Sequence, residues 1–262
     1  MAVKKPVTYD FRDIAAADAA RSGVALVTAN FGGIDTILPF PPQRGIDAYY
    51  YTEARVLSEA DAVAAASWTR VILPDYPRYD FGPRLRARYF KHQIHRLPEI
   101  EPYRWLAWAD ANVQFTDPSF LLRTAQNLME LAPHQRVALI PHPHRATVRQ
   151  EYEFIVSEIA AGNEYLRIRY AQEKMTEQMS FFERCGWNLD APLWCGTVWL
   201  IENNEIIRRG WNALWDQNLR YGMMIQLATP GILDAFGLQA QSLGFNLCDN
   251  PFFHWGTHQV LM

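Results

Sequence analysis

A continuous apolar run of strand length, Gly23-Val-Ala-Leu-Val-Thr-Ala29, passes without interruption into Asn30-Phe-Gly-Gly33, and this junction constrains the fold more than any other feature of the chain. An uninterrupted apolar strand has to be covered on both faces, which is the condition of a strand inside a parallel sheet. Glycines at its end let backbone approach a ligand closely, and open α/β sheets bind ligands in the crevice outside the carboxyl ends of their strands. The spacing is neither GxGxxG nor a P-loop, so neither a dinucleotide fingerprint nor a P-loop is supported. Taken alone, the glycine pair reads as a strand-ending turn.

Further runs of the same kind follow. Asp47–Glu53, Thr69–Leu73 ending at Pro74, Trp105–Ala109, Arg136–Ile140 and Trp194–Ile201 all read as strands. Between them, helical patterns are predicted at Ser58–Ser67, from Gly82-Pro83 through His95, from Asp117 to Leu131 and from Thr147 to Ala161. Two more are expected at Glu164–Arg184 and Asn203–Leu219, and the alanine-rich stretches Ala15–Ala17 and Ala62–Ala66 read as helical too. Strands alternating with helices predict an α/β fold with a central, mostly parallel sheet flanked by helices. At 262 residues, 49% of them hydrophobic, the chain is expected to form one domain over 1–262.

A net charge of −3 and a pI near 6.2 argue against a general nucleic-acid binder. Cys185, Cys195 and Cys248 form no CxxC pair and cannot all pair with one another, which points to a reducing compartment. No secretory signal and no apolar run long enough to span a bilayer is visible, so a cytoplasmic location without a transmembrane segment is expected.

The chemistry is expected where the run Trp105–Ala109 ends in Asp110 and Asn112. Residues two apart in an extended segment project to one face, so a carboxylate and an amide oxygen can meet one point, an arrangement that suits Mg or Mn. Asp117-Pro118 instead reads as a helix start. Upstream, Arg84, Arg88, Lys91 and His95 fall on one helical face within a segment of five fixed cations and no acid, which favours phosphate contacts. His142 and His144 stand two apart in a Pro-His-Pro-His-Arg loop, and His254 and His258 lie near the C-terminus; each pair alone is a weak metal signal. Trp211 and Trp215 share a helix face, where core packing is the usual meaning.

Taken together, Thr28-Ala-Asn-Phe-Gly-Gly33, the Arg84–His95 segment, Trp108-Ala-Asp110 with Asp117-Pro118, His142-Pro-His-Arg145, Gln178 with Gly186, and the Trp211/Trp215 pair carry a resemblance. Over most of its length the chain resembles a family of GT-A-like glycosyltransferases formerly described as a domain of unknown function and related to plant and bacterial polysaccharide glycosyltransferases. The resemblance implies a Rossmann-like GT-A fold, a nucleotide-sugar donor, a glycan or other acceptor, and a divalent metal, Mn or Mg. It implies that Thr28, Asn30, Gly32 and Glu53 border the nucleoside and that Arg84, Arg88 and Lys91 meet the diphosphate. Asp110, Asn112 and His254 would hold the metal, and His142, His144, Arg145, Trp194 and Trp211 would lie near the acceptor. The chain departs from the family at Asn112, an amide in the metal motif, and at Met224-Ile225-Gln226, where the family tends to have Arg-Asp-Gln. The catalytic role is therefore sought at Asp216, Glu202 or Gln226. Rival expectations are a metal-dependent hydrolase using His142, His144, His254 and His258, and a catalytically degenerate protein that binds nucleotide-sugar or glycan.

Overall fold

The computed structural model describes residues 21–33, 35–53, 57–73 and 82–256. The predicted helix at Ala15–Ala17, Pro74 and His258 lie outside them. Seven strands form the central sheet: β1 (Arg21–Asn30), β2 (Ile46–Glu53), β3 (Thr69–Leu73), β4 (Tyr103–Ala109), β6 (Val137–Pro141), β7 (Trp194–Glu202) and β8 (Ala240–Ser242). Two short strands, β5 (Val113–Phe115) and β9 (Phe253–Trp255), pair as a separate antiparallel ribbon. The helices are α1 (Glu59–Ala65), α2 (Pro83–His92), α3 (Ser119–Met129), α4 (Val148–Ala160), α5 (Glu164–Tyr170), α6 (Met175–Arg184), α7 (Glu205–Tyr221) and α8 (Thr229–Ala235). The expected α/β architecture, a mostly parallel central sheet flanked by helices, is what the chain adopts.

The strand order is β3-β2-β1-β4-β7-β6-β8, and β7 alone runs against its neighbours. From β1 the chain moves outward through β2 and β3, then returns to place β4 on the other side of β1. The order thus reverses between β1 and β4, the position at which open α/β sheets leave a crevice.

Period-two alternation sorts each strand's side chains into two cores. Val24 and Leu26 of β1 point to one core with Trp105 and Ala107 of β4, while Ala25, Val27 and Ala29 point to the other with Leu106 and Trp108. Both cores are apolar, which is why these strands read as continuous hydrophobic runs rather than alternating ones. Burying each large aliphatic side chain of this kind contributes roughly 1.5–3 kcal/mol.

Helix α7 buries Ile207, Gly210, Trp211, Leu214, Gln217 and Asn218, one face at helical spacing. Trp211 is 2% exposed and meets Trp199 edge-on at 5.5 Å, as core packing predicts.

Two helices differ from expectation. α2 ends at His92 and is followed by a 3₁₀ turn, Ile94–Arg96, so His95 leaves the predicted cationic face. It lies instead against Asn212 of α7, 3.1 Å from ring nitrogen to amide oxygen, and burial, helped by Arg96, draws its pKa down to about 4. The single helix expected over Glu164–Arg184 is broken into α5 and α6. Its sequence has no Gly or Pro at the break. The interruption is tertiary: the Lys174 amide donates to the Tyr221 carbonyl (2.9 Å), and the Glu173 carboxylate accepts from the Met224 amide (3.0 Å), both at the end of α7.

Candidate active site

A cleft of about 760 Å³ opens at the carboxyl ends of β1 and β4. Its floor is Asn30, Phe31 and Gly32 at the end of β1 and Trp108, Asp110 and Ala111 at the end of β4. One wall is the first two turns of α2, with Arg84 and Arg88; the other is α5 and the α5–α6 break, with Arg169, Glu173 and Lys174, joined by the end of α7. Arg84, Arg88, Arg169, Lys174 and Arg220 outnumber the lining carboxylates Asp35, Asp110 and Glu173. The cleft is therefore suited to an anion.

Asp110 on its floor is half of an ion pair whose other half lies buried behind it. Lys91 Nζ stands 2.8 Å from Asp110 Oδ1, and the Trp108 indole N–H donates to the same oxygen at 2.7 Å. The ammonium also lies 5.2 Å from the centroid of the Trp108 ring. Lys91 is 1% exposed, because three residues past Arg88 the helix turns this side chain in towards β4 and not into solvent. Glycine at position 196 on β7 makes the space, since a Cβ there would come within 3.3 Å of Nζ. Burial pulls the Lys91 pKa down to about 8, against the pull of Asp110, while Arg88 and Arg169 push it the same way as burial. Burial would raise the Asp110 carboxyl, but Lys91 and Arg88 outweigh it and hold it below the usual carboxylate range.

Around β1, Asn30 closes the glycine turn by exchanging hydrogen bonds with the Asp35 backbone. Gly32 and Gly33 take φ of 72° and 64°, and the Gly32 amide donates to Glu53 Oε1 at 2.7 Å. Glu53 thus braces the turn, and Arg86 approaches it at 3.8 Å. Thr28 is buried at 2% with its hydroxyl unpartnered, beneath the floor and not on it.

The structure brings Asn30, Gly32, Arg84, Arg88 and Asp110 together in the cleft, with Lys91 directly behind Asp110. Other predicted residues stand elsewhere. Asn112 is buried at 5% beneath the C-terminal segment, its amide donating to the Gly256 carbonyl, and His254 is exposed on β9 opposite Gln114. His142 Nδ1 accepts from the amides of His144 and Arg145, and its Nε2 meets the Arg145 guanidinium at 3.2 Å. Both ring nitrogens are engaged, and burial, then Arg145 and His144, lowers its pKa to about 4. Arg145 in turn pairs with the buried Glu151. Trp194 opens β7 beside this loop, and Trp211 is sealed in the core. Glu202 lies at the far end of β7, held by Arg104 and Arg136 at 2.9 Å each, on the opposite side of the sheet from Asp110. Asp216 is exposed on α7 and Gln226 sits in a 3₁₀ turn after it; neither lines the cleft.

Sequence reasoning missed the α5–α6 wall. Glu173 lines the cleft with Oε2 on the Met224 amide and Oε1 buried without a partner. Gly222, at φ 114°, makes room for it: a Cβ there would sit 2.9 Å from the Glu173 carboxyl carbon. Burial raises the Glu173 pKa even though the Met223 and Met224 amides, Arg88 and Arg169 act against it. Only the acid in an otherwise ordinary mixed-charge segment could have hinted at this.

For a divalent ion the cleft offers the Asp110 carboxylate, whereas Asn112 Oδ1, the amide oxygen expected beside it, is buried without a hydrogen-bond partner and does not line the cleft. A single carboxylate suits only a hard cation that takes most of its shell from phosphate and water. Among the described residues no three of His, Cys, Asp and Glu converge on one point, so His142, His144 and His254 do not make a histidine-rich centre. No helix among the described residues is long and apolar enough to cross a membrane.

No family model matches this chain, and no curated protein does. Among solved structures, the apo form of mouse xyloside xylosyltransferase 1 is similar at a TM-score of 0.40 and 6% identity, covering 84% of this chain and 84% of that chain. A likeness that slight says nothing of activity, which has to come from the cleft itself.

Proposed function

We propose that the chain is a glycosyltransferase of GT-A type that moves a sugar from a nucleoside-diphosphate sugar to a glycan or other hydroxyl-bearing acceptor. The observation that carries this reading is the cationic cleft at the β1/β4 reversal, with Asp110 on its floor paired to the buried Lys91 behind it. It is supported by the resemblance of the Thr28–Gly33, Arg84–His95 and Trp108–Asp110 segments to that family.

In this reading Asn30 and Gly32 border the nucleoside, while Arg84 and Arg88 contact the diphosphate with Lys91 behind them. A magnesium or manganese ion would be held at the Asp110 carboxylate and would supply charge to the departing diphosphate. As the anomeric C–O bond breaks, its electron pair leaves with the diphosphate oxygen, where Arg88 and Lys91 stabilise the negative charge. The acceptor hydroxyl bonds to the anomeric carbon, and its proton passes to Glu173, the carboxylate on the wall facing α2. Glu173 takes the role first sought at Asp216, Glu202 or Gln226, because it lines the cleft and they do not. Neutral His142, braced by Arg145 and Glu151, would shape the acceptor side with His144 and Trp194.

The test is a thermal-shift screen of nucleoside diphosphates and their sugars with and without manganese, followed by donor hydrolysis with the best binder. Ligands that bind only the folded state raise its apparent stability. A shift with one nucleotide and release of nucleoside diphosphate support the transferase. Binding without turnover selects the degenerate reading, which the placement of Asp216, Glu202 and Gln226 outside the cleft favours. No shift with any nucleotide refutes both.

A further inference from the structure

The cations of the cleft come from two walls, and only one of them was legible as a phosphate site. Arg88 projects from α2 and Arg169 from α5, and both line the same cleft. Neither guanidinium forms an ion pair among the described residues. Arg169 is half-buried nonetheless, and aromatic rings hold it in place. Its Nη1 donates to the Tyr165 hydroxyl at 2.6 Å, and its guanidinium carbon stands 5.7 Å from the Tyr165 ring centroid and 5.4 Å from that of Tyr170. An arginine braced on phenol rings, with nitrogens to spare, presents a planar fork suited to phosphate oxygens.

The two arginines act on the same groups. Asp110 and Tyr170 feel Arg88 and Arg169 either directly or as partners, and Lys91 and Glu173 are influenced by both. Arg88 and Arg169 thus stand on opposite walls of one cleft, with Asp110, paired to the buried Lys91, on its floor and Glu173 on the α5–α6 side. Two of these three cations have no carboxylate of their own. Two unpaired guanidinium groups on opposite walls leave a positive surplus that matches two linked phosphates better than one.

We propose that Arg88 of α2 and Arg169 of α5 are the two jaws of a diphosphate clamp, and that Arg169 makes the cleft select a diphosphate over a monophosphate. This rests on the reading of the cleft as a nucleoside-diphosphate site, but it concerns the anion alone. It can therefore be tested without knowing the base, the sugar or the acceptor.

The experiment is isothermal titration of the full chain with inorganic pyrophosphate and with inorganic phosphate, at low ionic strength and with EDTA present. Wild type should bind pyrophosphate at least tenfold more tightly than phosphate. Arg169→Ala should abolish most of that preference while leaving phosphate affinity within about twofold, and Arg169→Lys should restore part of it. Arg88→Ala should weaken both anions. Circular dichroism and the melting temperature of each variant separate lost binding from lost folding. A pyrophosphate preference that survives in Arg169→Ala overturns the clamp, and so does equal binding of the two anions by wild type. Donor turnover by wild type in that event would leave the transferase reading standing, whereas a working clamp with no nucleotide-dependent turnover would overturn that reading and keep the clamp.

Discussion

Replacing Asp110 with Asn keeps the shape of the side chain and an acceptor for Trp108, and removes only the charge opposite Lys91. At the observed 2.8 Å, a unit pair in an effective dielectric of 20 attracts by about 6 kcal/mol, most of it offset by desolvation. Leaving one partner of a buried pair alone costs about 3–5 kcal/mol. The Asp110 side chain is 22% exposed, which moves the expectation to the low end, about 3 kcal/mol. The pH dependence is the sharper test. Asp110 has a folded pKa below its unfolded one, so its contribution is complete above the unfolded value and lost only in acid. Lys91 has a folded pKa of about 8, below its ordinary 10.5, so between these values the unfolded chain holds the proton that the folded chain has released. Stability from this group therefore rises with pH across that window, and the ion pair itself disappears above about 8. Asp110→Asn should thus be destabilised by about 3 kcal/mol at pH 6.5 and by clearly less at pH 9.5. Urea denaturation in EDTA at the two pH values measures it. A difference below about 1 kcal/mol at pH 6.5, or one that does not shrink at pH 9.5, would refute the account of Lys91 as a buried, paired ammonium.

Two further outcomes are expected. Glu173→Gln should lower kcat for transfer by about 100-fold or more with donor affinity little changed, as removal of a proton acceptor does; steady-state kinetics with intact donor binding by calorimetry checks it, and an unchanged kcat removes Glu173 from the reaction. Gly231→Ala should destabilise by about 3 kcal/mol, the upper end for overpacking, because its Cβ would fall 1.9 Å from Cε3 of Trp187, a ring stacked on Phe182 at 4.4 Å; a melting temperature equal to wild type would show that the indole can move aside.

The strands were legible because the sheet is covered on both faces and each strand is a plain apolar run, from Val24 to Ala29 and from Trp105 to Ala109. The acid at the end of β4 was legible for the same reason, since it breaks such a run. What the sequence could not display was which cations face inward. Arg84, Arg88 and Lys91 share a helical stripe, yet only Lys91 is buried, because Gly196 on a strand about a hundred residues away leaves room for it. The second wall was hidden altogether. Nothing between Glu164 and Arg184 breaks a helix locally, and the break that carries Glu173 into the cleft is made by the Lys174 amide and the Glu173 carboxylate meeting backbone at and just after the end of α7. Long-range contacts of that kind leave no mark on local propensity.

The reversed direction of β7 has a mechanical result. Because β7 runs against the other strands, α7 starts at the end of the sheet opposite the cleft, where Asn204 caps it and binds Glu202 at 2.9 Å. Its 17 residues then span about 25 Å back to the cleft, where Asn218 and Gly222 form part of the wall. The helix works as a strut whose footing lies in the Arg104–Glu202–Arg136 network and whose tip sets the width of the site. One residue inserted near the footing would turn the tip by about 100° and lift it by about 1.5 Å. Gly222 would then no longer face Glu173, so the length of a helix remote from the chemistry governs the geometry of the cleft.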